Sequence, residues 1–178
     1  MIYKYVFPNG ITFKHVYSNC DLFNIEIVIK SGMINENHLQ VGYTHILEHF
    51  MSFFTSNKYP DAHFNYQLLN KWGMTSNAWT EENTCGFYVE GSNDYFMDII
   101  DLMLNSYVFP FIDSKHYQQE QEAVVRELNK IKDDIWYNLI YQLQCYEYPG
   151  TAFEYDIDYE QQNVKNATLE KIMNFRKQ

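Results

Sequence analysis

Thr44-His45-Ile46-Leu47-Glu48-His49-Phe50 is the stretch on which the reading of this chain turns. Taken as an α-helix at about 100° per residue, it places His49 about 40° to one side of His45 and Glu48 about 60° to the other. The three polar side chains share one face, while Ile46 and Leu47 point elsewhere, toward a core. Histidines at i and i+4 have Cβ atoms roughly 5–6 Å apart, close enough for both to reach one ion at about 2.0–2.1 Å. A glutamate on the same face is placed to serve as a general base beside that ion. The stretch reads as a zinc-binding helix that carries its own base.

Composition sets the frame around it. The chain has 178 residues, a length for one domain spanning 1–178, and a chain of this size can bury roughly 70% of its unfolded surface. Hydrophobic residues are 46% and aromatics 18%, which supplies a packed core and excludes a disordered chain. Lys+Arg 13 against Asp+Glu 23 gives a net charge of −10. That surface repels nucleic acid and anionic membranes and suits peptide or basic partners, or simply keeps the chain soluble. Cys20, Cys85 and Cys145 are odd in number and form no C-x-x-C pair, so an intracellular, reducing compartment, the cytoplasm first, is expected. The segment Met1 to Pro8 is too short and polar for a signal peptide, and no apolar run approaches the ~20 residues of a membrane span.

Outward from the motif, the spacing predicts the following elements. Residues 2–7 and 11–18 alternate as strands around Pro8-Asn9-Gly10, a hairpin signal, and 22–31 form a third strand ended by Gly32. A polar connector with Asn35, Glu36 and Asn37 leads to the motif helix, 39–54, in which Gly42 either admits close packing or is a weak helical position. A helix over 61–71 has Asp61 as its N-cap and Gly73 as its stop. Strands 74–80 and 84–90 follow, then a helix over 94–107 and a long helix from Asp113 or Ser114 to about 143. Residues 151–165 show no clear period, and a last helix starts after Asn166. His15, His38, His63 and His116 fit no motif.

Two histidines leave a zinc site incomplete, because a catalytic site wants three protein ligands and one open position. The long helix offers Glu120, Glu122 and Glu127, and Glu120 and Glu127 lie two turns apart on nearly one face. Spacing alone does not choose among them, nor does it separate ligands from a solvated charged face.

Three blocks of residues carry a resemblance that does. Asn9-Gly10, Gly32, Glu36 and Gly42 lead to His45-x-x-Glu48-His49; Gly73-x-x-x-Asn77-Ala78-x-Thr80 follows; then Glu120-x-x-x-Val124-x-x-Glu127. Over roughly residues 1–140 the chain resembles the zinc-binding first half of the pitrilysin/insulinase metallopeptidases, the inverzincins, a family that includes the mitochondrial processing peptidase β-subunit. The resemblance implies an α+β fold, one mixed, mostly antiparallel sheet with helices packed on one side. It implies one Zn2+ per chain, held by His45, His49 and Glu127, which stands a little under eighty residues after the second histidine. Glu120 takes the place of the family's second glutamate behind the ligands. The implied activity is zinc-dependent cleavage of peptides or unfolded segments, with Glu48 as general base. Asn77, Ala78 and Trp79 would form a sheet edge beside the zinc to which a substrate strand can add.

Family members pair two related halves, and this sequence corresponds to the first. The resemblance therefore implies a fragment or split protein, or a homo- or hetero-oligomer in which another chain supplies the second half. Two alternatives stand beside this reading. One is a non-catalytic binding or assembly subunit that keeps zinc for stability. The other is an S-ribosylhomocysteine-lyase-like enzyme, since those enzymes also carry His-x-x-Glu-His and complete the site with cysteine; Cys85-Gly86-Phe87-Tyr88 is superficially similar to theirs.

Overall fold

The structure is a computed structural model that describes residues 2–178. β1 (Ile2–Val6) and β2 (Thr12–Val16) pair as an antiparallel hairpin with Ile2 opposite Val16 and Val6 opposite Thr12. Its turn places Gly10 at φ +88, where a side chain is strained, and the Gly10 N–H donates to the Phe7 carbonyl. β3 (Leu22–Ile29), β4 (Thr75–Thr80) and β5 (Cys85–Ser92) form a second antiparallel sheet in the order β3-β5-β4. The α+β class and the antiparallel pairing hold. The strands divide between two sheets, because β3 alternates exposed with half-buried residues over a core while every residue of β1 and β2 is exposed.

One face of the three-stranded sheet is apolar. Antiparallel partners share a face, and the pairs Ile25 with Val89, Ile27 with Phe87 and Ala78 with Phe87 stack their side chains there. α2 (Ala62–Lys71) and α3 (Phe96–Val108) cover part of it, with Leu69, Ile99, Leu102 and Met103 buried against Phe87 and Val89. α1 (Tyr43–Ser52) packs on β4 and β5 and sends Met51 into the same cluster. From α1, Tyr43, Ile46 and Phe50 meet a second cluster built from Tyr117, Val124 and Leu128 of α4 (Ser114–Asp133), Ile157 and Val164 of α6 (Ile157–Asn166), and Ile172 of α7 (Leu169–Phe175). The motif helix is thus the middle layer between a sheet and a helical group.

Three boundaries differ from the sequence expectation. α1 begins at Tyr43 instead of 39, because Gly42 sits at φ +89 and cannot continue a right-handed helix. The long helix expected to reach 143 breaks at Asp134, whose side chain accepts from the N–H groups of Trp136 and Tyr137 and so starts α5 (Ile135–Glu147). Residues 151–165, without a clear period, contain α6. Its buried face is Ile157, Glu160, Gln161 and Val164, a helical spacing half made of polar residues and so invisible to a search for apolar periodicity. α5 leaves a broad apolar surface uncovered, with Ile135 81%, Trp136 74% and Tyr146 89% exposed. No helix among the described residues is long and apolar enough to cross a membrane.

Candidate metal centre

The site is assembled by pinning two helices to one another. Glu36, buried in the connector, accepts the N–H groups of Gly42 at 2.9 Å and Thr44 at 2.6 Å, and thereby ties down the start of α1. Burial pushes the Glu36 carboxyl up to about 7, against the lowering pull of those hydrogen bonds. Ile46 on α1 and Val124 and Leu128 on α4 are fully buried against each other. Residues on the edges of those stripes then face one another: His45 and His49 from α1, Glu120 and Glu127 from α4.

The Glu127 carboxylate oxygen Oε2 lies 3.7 Å from His45 Nε2 and 3.5 Å from His49 Nε2. One ligand atom from each of the three residues falls within 4.8 Å of the others. Tetrahedral bonds of about 2.0–2.1 Å separate ligand atoms by about 3.4 Å, so Glu127 Oε2 already lies within a few tenths of an ångström of the required distance from each imidazole. Two imidazoles and one carboxylate also match, as a donor set, a zinc site that keeps a position open. The other nitrogen of His49, Nδ1, is 3.1 Å from Glu120 Oε2, so an Nδ1–H donates to that carboxylate and leaves Nε2 free for a metal.

The electrostatics suit a cation. Burial pulls the His45 imidazole down, but the carboxylates of Glu127 and Glu160 beside it outweigh burial and raise it to about 10. Glu127 is held below the usual carboxylate range by His45 first and His49 after it, against desolvation. Without metal, His45 keeps a proton in the place a metal would take.

The remaining sequence-selected residues are placed as follows. Glu48 is half-buried on α1, three positions beyond His45. Asn77, Ala78 and Trp79 lie on β4, an edge strand of its sheet. Ala78 packs on the apolar cluster, and Trp79, on the other face, lays its ring over Gly86, where a Cβ would come within 2.7 Å of it. Cys85 is outside the only group of His, Cys, Asp and Glu side chains, among the described residues, that can hold a metal. Burial, and then the charge of Glu48, pushes its thiol up to about 11, which disfavours the thiolate a cysteine ligand requires. The lyase alternative thus lacks its cysteine ligand. One residue that sequence reasoning passed over, Glu160, stands 3.7 Å from His45 Nδ1. Its only signal was a glutamate at a core position of an amphipathic stripe, between Ile157 and Val164.

The chain is similar to known proteins along much of its length. The family model described as "Insulinase (Peptidase family M16)" matches residues 17–146. Protease 3 of Escherichia coli (strain K12) is 32% identical over 102 residues, covering 57% of this chain and 10% of that protein. A nardilysin-like protein of Arabidopsis thaliana is 33% identical over 107 residues, 59% of this chain and 10% of that protein. The chain spans about a tenth of the length of these curated relatives. The crystal structure of a protease from Helicobacter pylori has the same fold, with a TM-score of 0.85 over 99% of this chain and 42% of that one at 18% identity.

Proposed function

This chain belongs to the insulinase family, peptidase family M16, and from that premise we propose that it is the zinc-binding half of an endopeptidase acting on peptides or unfolded segments. The observation that carries the reading is the meeting of His45, His49 and Glu127, from two helices, within 4.8 Å. Those three residues hold one Zn2+ per chain. In that place zinc would supply a Lewis acid for the scissile carbonyl and for activation of a water. Glu48 accepts a proton from the attacking water and returns it to the leaving amine. Glu120 holds the His49 ring through Nδ1.

The free edge of β4, with Asn77, Ala78 and Trp79, receives the substrate backbone as an added strand, main chain to main chain. A second half, supplied by a further region or by another chain, completes the unit. The apolar surface left open on α5 and the tenth of its relatives' length that this chain spans support that need. The free thiols of Cys20, Cys85 and Cys145 fit a reducing compartment.

The test is cleavage of a mixed fluorogenic peptide library by the zinc-loaded chain, with Glu48→Gln as control. Glu48→Gln is expected to keep one zinc per chain and to lose hydrolysis by about 10²–10⁴-fold. A Glu48→Gln chain that cleaves like the wild type overturns the assignment. Stoichiometric zinc with no cleavage by the wild type points to an obligate second half, or to the non-catalytic assembly subunit, which uses the same metal for stability.

A further inference from the structure

A metal-binding imidazole offers one nitrogen to the ion, and the group that accepts the proton of the other sets the tautomer and the plane of the ring. His49 has such a group in Glu120. His45 presents Nε2 to Glu127 and Nδ1 to Glu160, whose Oε1 is 3.7 Å away. Glu160 comes from α6, far along the chain, and its side chain is only 6% exposed. A carboxylate is costly to bury unless it is paired and hydrogen-bonded. The partners it has are both at this spot: His45 on one oxygen, and on the other the Tyr141 hydroxyl of α5, which donates at 3.3 Å.

The backbone makes room for the approach. A Cβ at Gly42 would stand 2.8 Å from Val164 Cγ2 and 3.0 Å from Glu160 Cγ. The bare backbone just before α1 therefore lets α6 close over the start of the motif helix, bringing Glu160 to the side of His45 away from Glu127. We propose that Glu160, braced by Tyr141, is the positioning residue of His45: its Oε1, 3.7 Å from Nδ1, closes to hydrogen-bond distance when metal binds, accepts the Nδ1–H and keeps Nε2 turned to the metal as Glu120 does for His49. This rests on the zinc centre proposed above and adds a residue from a third helix to it. A purely structural Glu160 would matter to folding and leave the metal affinity of the folded chain alone.

The experiment is a competitive zinc titration against a chromogenic chelator on the full chain, with thermal melting of each metal-free protein. Glu160→Leu, which fills the same space without an acceptor, is expected to weaken zinc binding by about 10- to 100-fold. Glu160→Gln, which keeps an acceptor oxygen but no charge, is expected to weaken it by about three- to tenfold and so to rescue part of the loss. Wild-type zinc affinity in Glu160→Gln overturns the proposal, whether or not Glu160→Leu folds. Wild-type affinity in a folded Glu160→Leu does so too. A wild-type chain that takes up no zinc overturns the zinc centre itself, and this role with it.

Discussion

At the scale of single residues, the site is a balance of carboxylates around two imidazoles. Glu127 is the point where both Nε2 atoms meet, and it is half exposed, so its removal should disturb the metal far more than the fold. Glu127→Ala is expected to lose stoichiometric zinc while its metal-free melting temperature stays within a few degrees of the wild type, measured by metal analysis after desalting and by thermal unfolding. Retained zinc in that variant would remove Glu127 from the ligand set. His45, Glu48 and His49 were legible because i, i+3 and i+4 fall on one face of any helix. The choice among Glu120, Glu122 and Glu127 was not legible in spacing and came only with the resemblance, since it depends on how α4 is rotated against α1, and burial of Val124 and Leu128 decides that rotation.

At the scale of elements, the start of α1 and the edge of β4 each make a prediction. Glu36 has a folded-state pKa of about 7 against an ordinary 4.5, with burial as the leading cause. The folded chain therefore holds this proton more tightly than the unfolded chain. Its contribution to stability is fully present below about 4.5 and is lost as pH rises through about 7, on the order of 3 kcal/mol. His45 acts in the same sense in a higher window, from 6.5 to about 10, so the two are separable. The urea midpoint of the metal-free wild type is expected to fall between pH 4.5 and 7, and Glu36→Gln should flatten that fall. An equally steep fall in the variant would show that another group is responsible.

The β4 edge is tested by Asn77→Ala. Asn77 is exposed and its side chain accepts only the N–H of its neighbour Ala78, so little stability rides on it. The expected result is a raised KM or a lowered kcat for peptide cleavage with an unchanged melting temperature. Unchanged kinetics would leave the residue an ordinary edge position. The strands and their turns were readable from alternation and from Pro8-Asn9-Gly10. The split at Asp134 and the existence of α6 were not, because one is made by a side chain competing for backbone N–H groups and the other by a half-polar buried face.

At the scale of the whole molecule, an ion held between α1 and α4 ties together parts of the chain that are distant in sequence. Zinc at the proposed centre would bind the folded chain and not an unfolded one, and would stabilise by mass action, about 4 kcal/mol at a thousandfold excess over Kd. For a chain of this size that is roughly a 10 °C rise in melting temperature. A scan with excess zinc and one with excess chelator should show that difference, and Glu127→Ala should lose most of it. A wild type whose melting ignores zinc would detach the metal from the fold.

By itself the sequence determined the motif helix and its polar face, the hairpin and the caps at Asp61 and Asp113, and the resemblance it carries added the α+β class. The local features follow from contacts within a few residues, and local geometry does not depend on the rest of the chain. Only the tertiary structure showed Glu127, named by the resemblance, standing beside both imidazoles, and only it decided that the strands form two sheets and that Glu160 reaches His45. These depend on how α4 and α6 pack on α1, across separations for which spacing carries no signal, and the bare backbone of Gly42 with the buried stripe of Ile46, Val124 and Leu128 is what settles it.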